Sequence, residues 1–162
     1  MIGRITLVNA PISESSSSGR ITEFKFEGRD LRITDPKGNA TTRRSDVIGQ
    51  LRAVIDPSPG GTTAYAYQPF GELASITDAA TNVTSWSYNL RGFVTATSDP
   101  DSGSWSYVPN AFGEVTSQTD AKSQVTTFTF DKLSRPLTRI EAEGTTSWTW
   151  GSSAAAKNIG GL

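Results

Sequence analysis

Six small residues, Gly28, Gly49, Gly71, Gly92, Gly113 and Ser134, divide the chain into steps of 21 or 22 residues. Seven positions after each stands an acid: Asp35, Asp56, Asp78, Asp99, Asp120 and Glu141. Six and four positions before several anchors stand aromatics: Tyr65 and Tyr67, Trp86 and Tyr88, Phe128 and Phe130. A fixed period of this length implies a stack of equivalent units. Each unit is too small to bury a core alone and is held mainly by its neighbours. Such an array builds a wall or a surface more readily than a catalytic cleft.

The unit around Gly92 shows the local logic. Asn82–Tyr88 reads N-V-T-S-W-S-Y, rich in the β-branched and aromatic residues that favour strands. Trp86 and Tyr88 lie two apart, so a strand places both on one face, with Ser85 and Ser87 on the other. Asn89–Gly92 supplies turn chemistry, because Asn tolerates the left-handed region and Gly permits a positive φ. Phe93–Ser98 reads as the returning strand, and Asp99-Pro100-Asp101-Ser102-Gly103 closes it. One unit is therefore two strands and two turns.

Apolar residues just after the anchors (Leu51, Leu73, Val94, Val115 and Leu137) mark a core-facing position on the second strand. The sequence thus predicts an all-β fold of consecutive antiparallel β-hairpins of about 21 residues, forming one long curved repeat sheet. Two parts are expected: an irregular segment over 1–21 with the Ser-rich loop Ser13–Gly19, and a repeat array over 22–162. Gly3-Arg4-Ile5 reads as a degenerate first anchor and Gly160-Gly161-Leu162 as a last one, after an insertion over Ser152–Asn158. An array ending in mid-unit without polar caps would expose strand edges. The expectation is a fragment, or a short relative, of a longer repeat protein.

Composition removes several functions. The formal net charge is -1 and no long basic run occurs, which argues against a nucleic-acid binder. With no cysteine there is neither a disulfide framework nor a thiolate metal site. With no histidine there is no Ser-His-Asp triad, and the commonest general base and metal ligand are missing. No stretch approaches the roughly 20 apolar residues of a membrane-spanning helix. The start of the chain lacks the apolar run of a signal peptide.

The segments Tyr65-Ala-Tyr-Gln-Pro-Phe-Gly-Glu-Leu73, Trp86-Ser-Tyr-Asn-Leu-Arg-Gly-Phe-Val94 and Phe128-Thr-Phe-Asp-Lys-Leu-Ser-Arg-Pro-Leu137 resemble the bacterial Rhs or YD (tyrosine-aspartate) repeat family. Its pattern is aromatic-x-aromatic-Asp-x-x-Gly-Arg-Leu, followed by a turn like Asp35-Pro-Lys-Gly-Asn39. The resemblance runs over roughly residues 22–162. Phe130-Asp131 carries the full aromatic-Asp pair, whereas Tyr67 is followed by Gln68 and Tyr88 by Asn89. Pro109 replaces the second aromatic in its unit, so a broken strand or a bulge is expected there. The resemblance implies a ribbon of hairpins like those that spiral into the hollow shells of bacterial toxin complexes and polymorphic toxins. Such shells hold a toxic C-terminal domain apart from its host. It also implies a secreted or cell-surface location. No Asp-Pro-x-Gly-Leu core motif and no toxin domain occur in this sequence.

Several residues invite a chemical reading. Asp99-x-Asp101-x-Gly103 has the oxygen spacing of a calcium loop but lacks the later Glu ligand, and a hairpin turn is the simpler reading. Glu72 and Glu114 each follow an anchor and could be imagined as a glycosidase pair, yet a repeated acid serves the repeat more readily. The aromatics are sugar platforms or the inward face of the sheet, and their i, i+2 spacing favours the inward face. Asn39-Ala-Thr41 and Asn82-Val-Thr84 match the glycosylation sequon by chance in a turn-rich chain. The expectation is a structural segment with no catalytic residue, metal or cofactor. Its partners would be neighbouring repeats, the rest of a larger Rhs protein, and an encapsulated toxin polypeptide. The alternatives are a carbohydrate- or partner-binding surface module, or a relict of a recombined repeat gene.

Overall fold

The computed structural model describes residues 22–57 and 59–151. The degenerate first anchor, the Ser13–Gly19 loop, the Ser152–Asn158 insertion and the final Gly-Gly-Leu lie outside the described residues. The chain divides into two compact units, Met1–Asn82 and Val83–Leu162. The first holds β1 (Glu23–Glu27), β2 (Asp30–Thr34), β3 (Ala40–Ser45), β4 (Leu51–Asp56), β5 (Gly61–Tyr67) and β6 (Leu73–Thr77). The second holds β7 (Val83–Tyr88), β8 (Val94–Asp99), β9 (Gly103–Pro109), β10 (Val115–Thr119), β11 (Val125–Phe130), β12 (Pro136–Glu141) and β13 (Gly144–Ser147). Strands follow one another in chain order and pair antiparallel, and no described residue is helical. The hairpin meander expected from the 21-residue period is therefore the fold.

Each unit is a single layer in which strands touch only their sequence neighbours. Residues directly opposite each other share a face. Tyr65 opposes Ile76 and Tyr67 opposes Leu73 in the first unit. In the second, Trp86 opposes Thr97 and Tyr88 opposes Val94. Thr97 in turn opposes Trp105, and Phe130 opposes Pro136. One face is thus aromatic and aliphatic. The other carries short hydroxyl side chains, with Ser98 against Ser104 at 3.2 Å and Thr129 against Thr138 at 2.6 Å. The same-face placement of the aromatics is as the spacing implied, but no second layer covers them. No described apolar side chain is buried, and Thr126, still 8% exposed, is the most enclosed described residue. The rings are half-buried rather than sealed in a core.

One turn geometry recurs eight times among the described residues. In Asn89–Phe93 the Asn89 N–H donates to the Phe93 carbonyl at 2.9 Å, and the Gly92 N–H donates back to the Asn89 carbonyl at 3.0 Å. The same pair of bonds closes the turns opened by Asp35, Asp46, Gln68, Asp78, Asn110, Asp120 and Asp131. The fourth residue of each turn is left-handed, and this fixes the anchor. Gly92 has φ 79° and Gly113 φ 88°. Thr81, Ser123 and Ser134 hold the same place at 70°, 63° and 61°. A Cβ is crowded in this region and costs roughly 1–2 kcal/mol, which Gly avoids. Ser134→Gly is therefore expected to stabilise the second unit by about 1 kcal/mol. A raised urea midpoint with an unchanged slope would show this, and a lowered midpoint would contradict it.

A bulge follows each anchor from Gly49 onward. Opposite Ser45, Tyr67, Tyr88, Pro109 and Phe130, the partner strand holds one extra residue: Arg52, Ala74, Thr95, Thr116 and Leu137. A bulge does occur at Pro109, but proline is not its cause. The repeat already breaks the ladder at that position, so a residue without an N–H fits there at little cost. The same bulge corrects the reading of Leu137. Pro136 takes the place held elsewhere by Leu51, Leu73, Val94 and Val115, and Leu137 is the extra residue.

Candidate functional site: turns, faces and similarity

The turn-opening side chain is the busiest polar group of the repeat. Asn110 Oδ1 accepts from the Phe112 N–H at 2.9 Å and the Glu114 N–H at 3.1 Å, and its Nδ2 donates to Glu114 Oε2 at 2.5 Å. Asn89 accepts from Arg91 and Phe93 in the same way. Asp46 accepts from Ile48 and Gln50, and Asp131 from Leu133 and Arg135. Asn therefore replaces Asp of the Tyr-Asp pair without loss of the turn. Neither Asn89 nor Asn110 adopts a positive φ. Asn serves through its side-chain carbonyl, not through left-handed tolerance. Gln68 is one methylene too long for this role, and Pro69, the next residue, presets the bend instead.

Five turn aspartates, Asp35, Asp46, Asp78, Asp99 and Asp131, titrate low. Hydrogen bonds from the Asn39 amide to Asp35 and from the Asn82 amide to Asp78 hold those carboxyls below their ordinary value. The Thr84 hydroxyl does the same for Asp99, and the Arg135 guanidinium for Asp131. At Asp46, desolvation opposes the shift and is outweighed by the Gln50 and Ile48 N–H groups and by Arg52. Arg52 also lies over the Tyr67 ring at 5.1 Å, and Arg135 over the Trp150 ring at 5.2 Å. Turn and aromatic face are thereby tied together.

Asp99, Glu72, Glu114, Asn39 and Asn82, which invited a chemical reading, all take part in turns. Asp99 Oδ1 accepts from the Asp101 and Ser102 N–H groups, and Oδ2 accepts from Thr84 Oγ1 at 2.7 Å. Its carboxylate closes a hairpin. Thr41 Oγ1 donates to Asp56 in the equivalent place, 43 residues earlier. Glu114 is bound to Asn110, and Glu72 contributes its backbone carbonyl to the Gln68 turn. Asn39 and Asn82 direct their amides at Asp35 and Asp78, so neither sequon presents a free side chain.

The sequence reading missed a longer period. The turns closed by Asp56–Gly61, Asp99–Gly103 and Glu141–Gly144 are tighter than the turns between them, so the true repeat is two hairpins, 42 or 43 residues. A Cβ built on Gly61 would stand 2.5 Å from the Ala79 Cβ, and one on Gly103 would stand 2.6 Å from the Ala121 Cβ. Small residues at both positions let a tight turn lie against the following open turn. That pairing of Gly with Ala, 18 residues apart, was the available signal.

The aromatic face carries two open grooves in the second unit. One, of about 410 Å³, is lined by Trp86, Val94, Thr97, Tyr107, Pro109 and Val115, among others. The other, of about 500 Å³, is lined by Val115, Gln118, Phe128, Phe130, Pro136, Arg139 and Trp148. They are the same groove displaced by one hairpin. Among the described residues no cluster of acids could hold a metal ion. No helix there is long and apolar enough to cross a membrane.

The model of the family RHS Repeat matches residues 69–104 and 110–146. These segments are RHS repeats. Each match spans two hairpins, in keeping with the doubled period. No curated relative matches the sequence. Among solved structures, the chain is similar to TcdB2-TccC3 without its hypervariable C-terminal region, at TM-score 0.73 and 19% identity. It is similar to TcdB2-TccC3-TEV at TM-score 0.72 and 19% identity. It is also similar to the Photorhabdus luminescens Tc holotoxin pore, at TM-score 0.69 and 18% identity. The matches cover 88%, 88% and 89% of this chain and 9% of each of those chains. The chain is thus built on the fold of a small part of those structures.

Proposed function

We propose that this RHS array is a segment of the wall of a β-shell that encloses a cargo polypeptide, without catalysis of its own. The observation that carries this reading is the uncovered aromatic face. A single-layer sheet whose half-exposed aromatic face has no covering layer among the described residues is a wall that something must lie against. Its turn residues hold the hairpins in register, and Asp99, Glu114 and Asp131 are engaged within those turns. On this reading the aromatic face is turned toward the cargo, and the protein acts outside the cell or at its surface. The array runs from residue 22 through 162 as a part of a larger RHS protein.

Protease protection tests this in the natural gene product. Cargo linked to the array is expected to survive trypsin while the array is intact, and to be digested once residues 83–151 are deleted. Cargo digested equally in both would contradict enclosure.

A second reading is a glycan-binding surface. It is favoured by the open grooves beside Trp86 and Trp148 and by the half-exposed tryptophans. The two readings separate by tryptophan emission. A wall gives emission unmoved by soluble glycans, whereas quenching or a shift that saturates with one glycan would favour the surface module.

A further inference from the structure

The two grooves of the second unit repeat each other in register. Thr97, Tyr107 and Pro109 of the first recur as Gln118, Phe128 and Phe130 of the second, each 21 residues further on. One hairpin is two strands, and neighbouring strands lie about 4.8 Å apart, so the grooves stand about 9.5 Å apart across the sheet. Aromatic ridges flank them: Trp86 on β7, Tyr107 on β9, Phe128 on β11, and Trp148 just after β13.

Furrows at this pitch keep step with one kind of polypeptide backbone. A polyproline II helix turns once in three residues and rises about 3.1 Å per residue, so its repeat is about 9.3 Å. An extended strand repeats a face every two residues, about 6.8 Å, and an α-helix turns every 5.4 Å or so. Neither matches the ridges.

The polar lining selects the same ligand. The Tyr107 hydroxyl, the Gln118 amide and the Arg139 guanidinium supply donors, and among the described residues no carboxylate lines either groove. A polyproline II backbone has no internal hydrogen bonds and proline has no N–H, so a proline-rich segment presents carbonyl acceptors to such walls. A sugar ring presents hydroxyl protons, which these walls give no carboxylate to receive. Arg139 is the one charged residue that lines the grooves. Glu141 accepts from its Nη2, and its other N–H groups are open to a second acid.

We propose that the aromatic face of the second unit binds a proline-rich segment in the polyproline II conformation. Successive turns seat in the two grooves, and an acidic residue of the segment lies at Arg139. Aromatic-lined furrows capture such segments because the ligand is ordered before it binds. The inference rests on the reading of this face as a polypeptide surface and names the segment held there.

Titration of the 162-residue chain with acetyl-Pro-Pro-Ala-Pro-Pro-Ala-Pro-Pro-Glu-amide, followed by tryptophan emission and calorimetry, tests it. A saturable emission shift at one peptide per chain is expected. Glycine in place of every proline should weaken binding by roughly tenfold or more, because the ordered backbone is lost. Arg139→Gln should weaken the Glu-ended peptide about two- to fivefold, the worth of an exposed ion pair, and leave a Gln-ended peptide unchanged. Gln118→Glu, which sets a negative charge among the ligand's carbonyls, should weaken both peptides. Ser87→Glu, on the opposite face, should weaken neither. No saturable response at millimolar peptide, equal binding of the glycine peptide, or binding indifferent to Gln118→Glu would overturn the proposal. So would a soluble β-linked glucan oligosaccharide that saturates the grooves where the peptide does not. Cargo digested in the protease experiment alongside saturable peptide binding would end enclosure alone. Protected cargo without peptide binding would end this inference alone.

Discussion

Gly103→Ala is expected to destabilise the second unit by about 3 kcal/mol. Two causes add. Gly103 sits at φ 75°, where a Cβ costs about 1–2 kcal/mol. The new Cβ would also stand 2.6 Å from the Ala121 Cβ, inside van der Waals contact, so the tight turn and the next open turn must move apart. Overpacking of this kind costs roughly 1–3 kcal/mol. Gly38→Ala separates the causes, because Gly38 has φ 87° and nothing within 4 Å of its Cβ position. It should cost about 1–2 kcal/mol, the backbone part alone. In the double variant Gly103→Ala with Ala121→Gly the steric part should return, giving a favourable coupling energy. Urea unfolding of the wild type, Gly38→Ala, Gly103→Ala, Ala121→Gly and the double variant measures all of this. Equal losses in Gly38→Ala and Gly103→Ala would mean that the turn-to-turn contact contributes nothing.

Acid is expected to unfasten the array turn by turn. Asp35, Asp46, Asp78, Asp99 and Asp131 all have folded-state carboxyl pKa values below the ordinary 3.8, because their charged forms accept N–H, amide, hydroxyl or guanidinium hydrogen bonds. A lowered folded-state pKa contributes stability that is fully present above the unfolded value. It is lost as pH falls through the folded one. The melting temperature should therefore be flat from neutrality to about pH 5 and fall steeply below pH 4, with the steepest loss below 3.8. Asn89 and Asn110 make the same turn with a side chain that does not titrate. Asp131→Asn keeps both turn bonds, loses the Arg135 pair, and should flatten the acid limb while lowering the melting temperature at pH 7. Asp131→Ala should lower it further at every pH, since the Leu133 and Arg135 N–H groups lose their acceptor. An acid limb as steep in Asp131→Asn as in the wild type would show that this turn does not control the response.

The hairpins were legible in the sequence because their turns are local. Gly92 must be left-handed and Trp86 and Tyr88 must share a face, and both facts follow from a handful of neighbouring residues. The family pattern was legible for the same reason. The bulge after each anchor was not, because it is a property of two strands in register, and Pro109 merely sits where the ladder is already open. The doubled period was hidden because its signal is a contact between Gly103 and Ala121, two unremarkable residues 18 apart. The half-buried state of the aromatics was missed because the i, i+2 spacing reports a shared face and says nothing of what lies above it. The chemistry of Asp99, Glu72 and Glu114 became clear only when their hydrogen bonds to the turns could be followed.

Cryo-electron microscopy of the natural gene product at its full length tests the wall assignment most directly. The account expects residues 22–151 to form part of a closed β-shell, with Tyr67, Trp86, Tyr107 and Phe128 facing an interior that holds polypeptide density. An array standing free of any enclosure, with that aromatic face open to solvent or occupied by glycan, would contradict it.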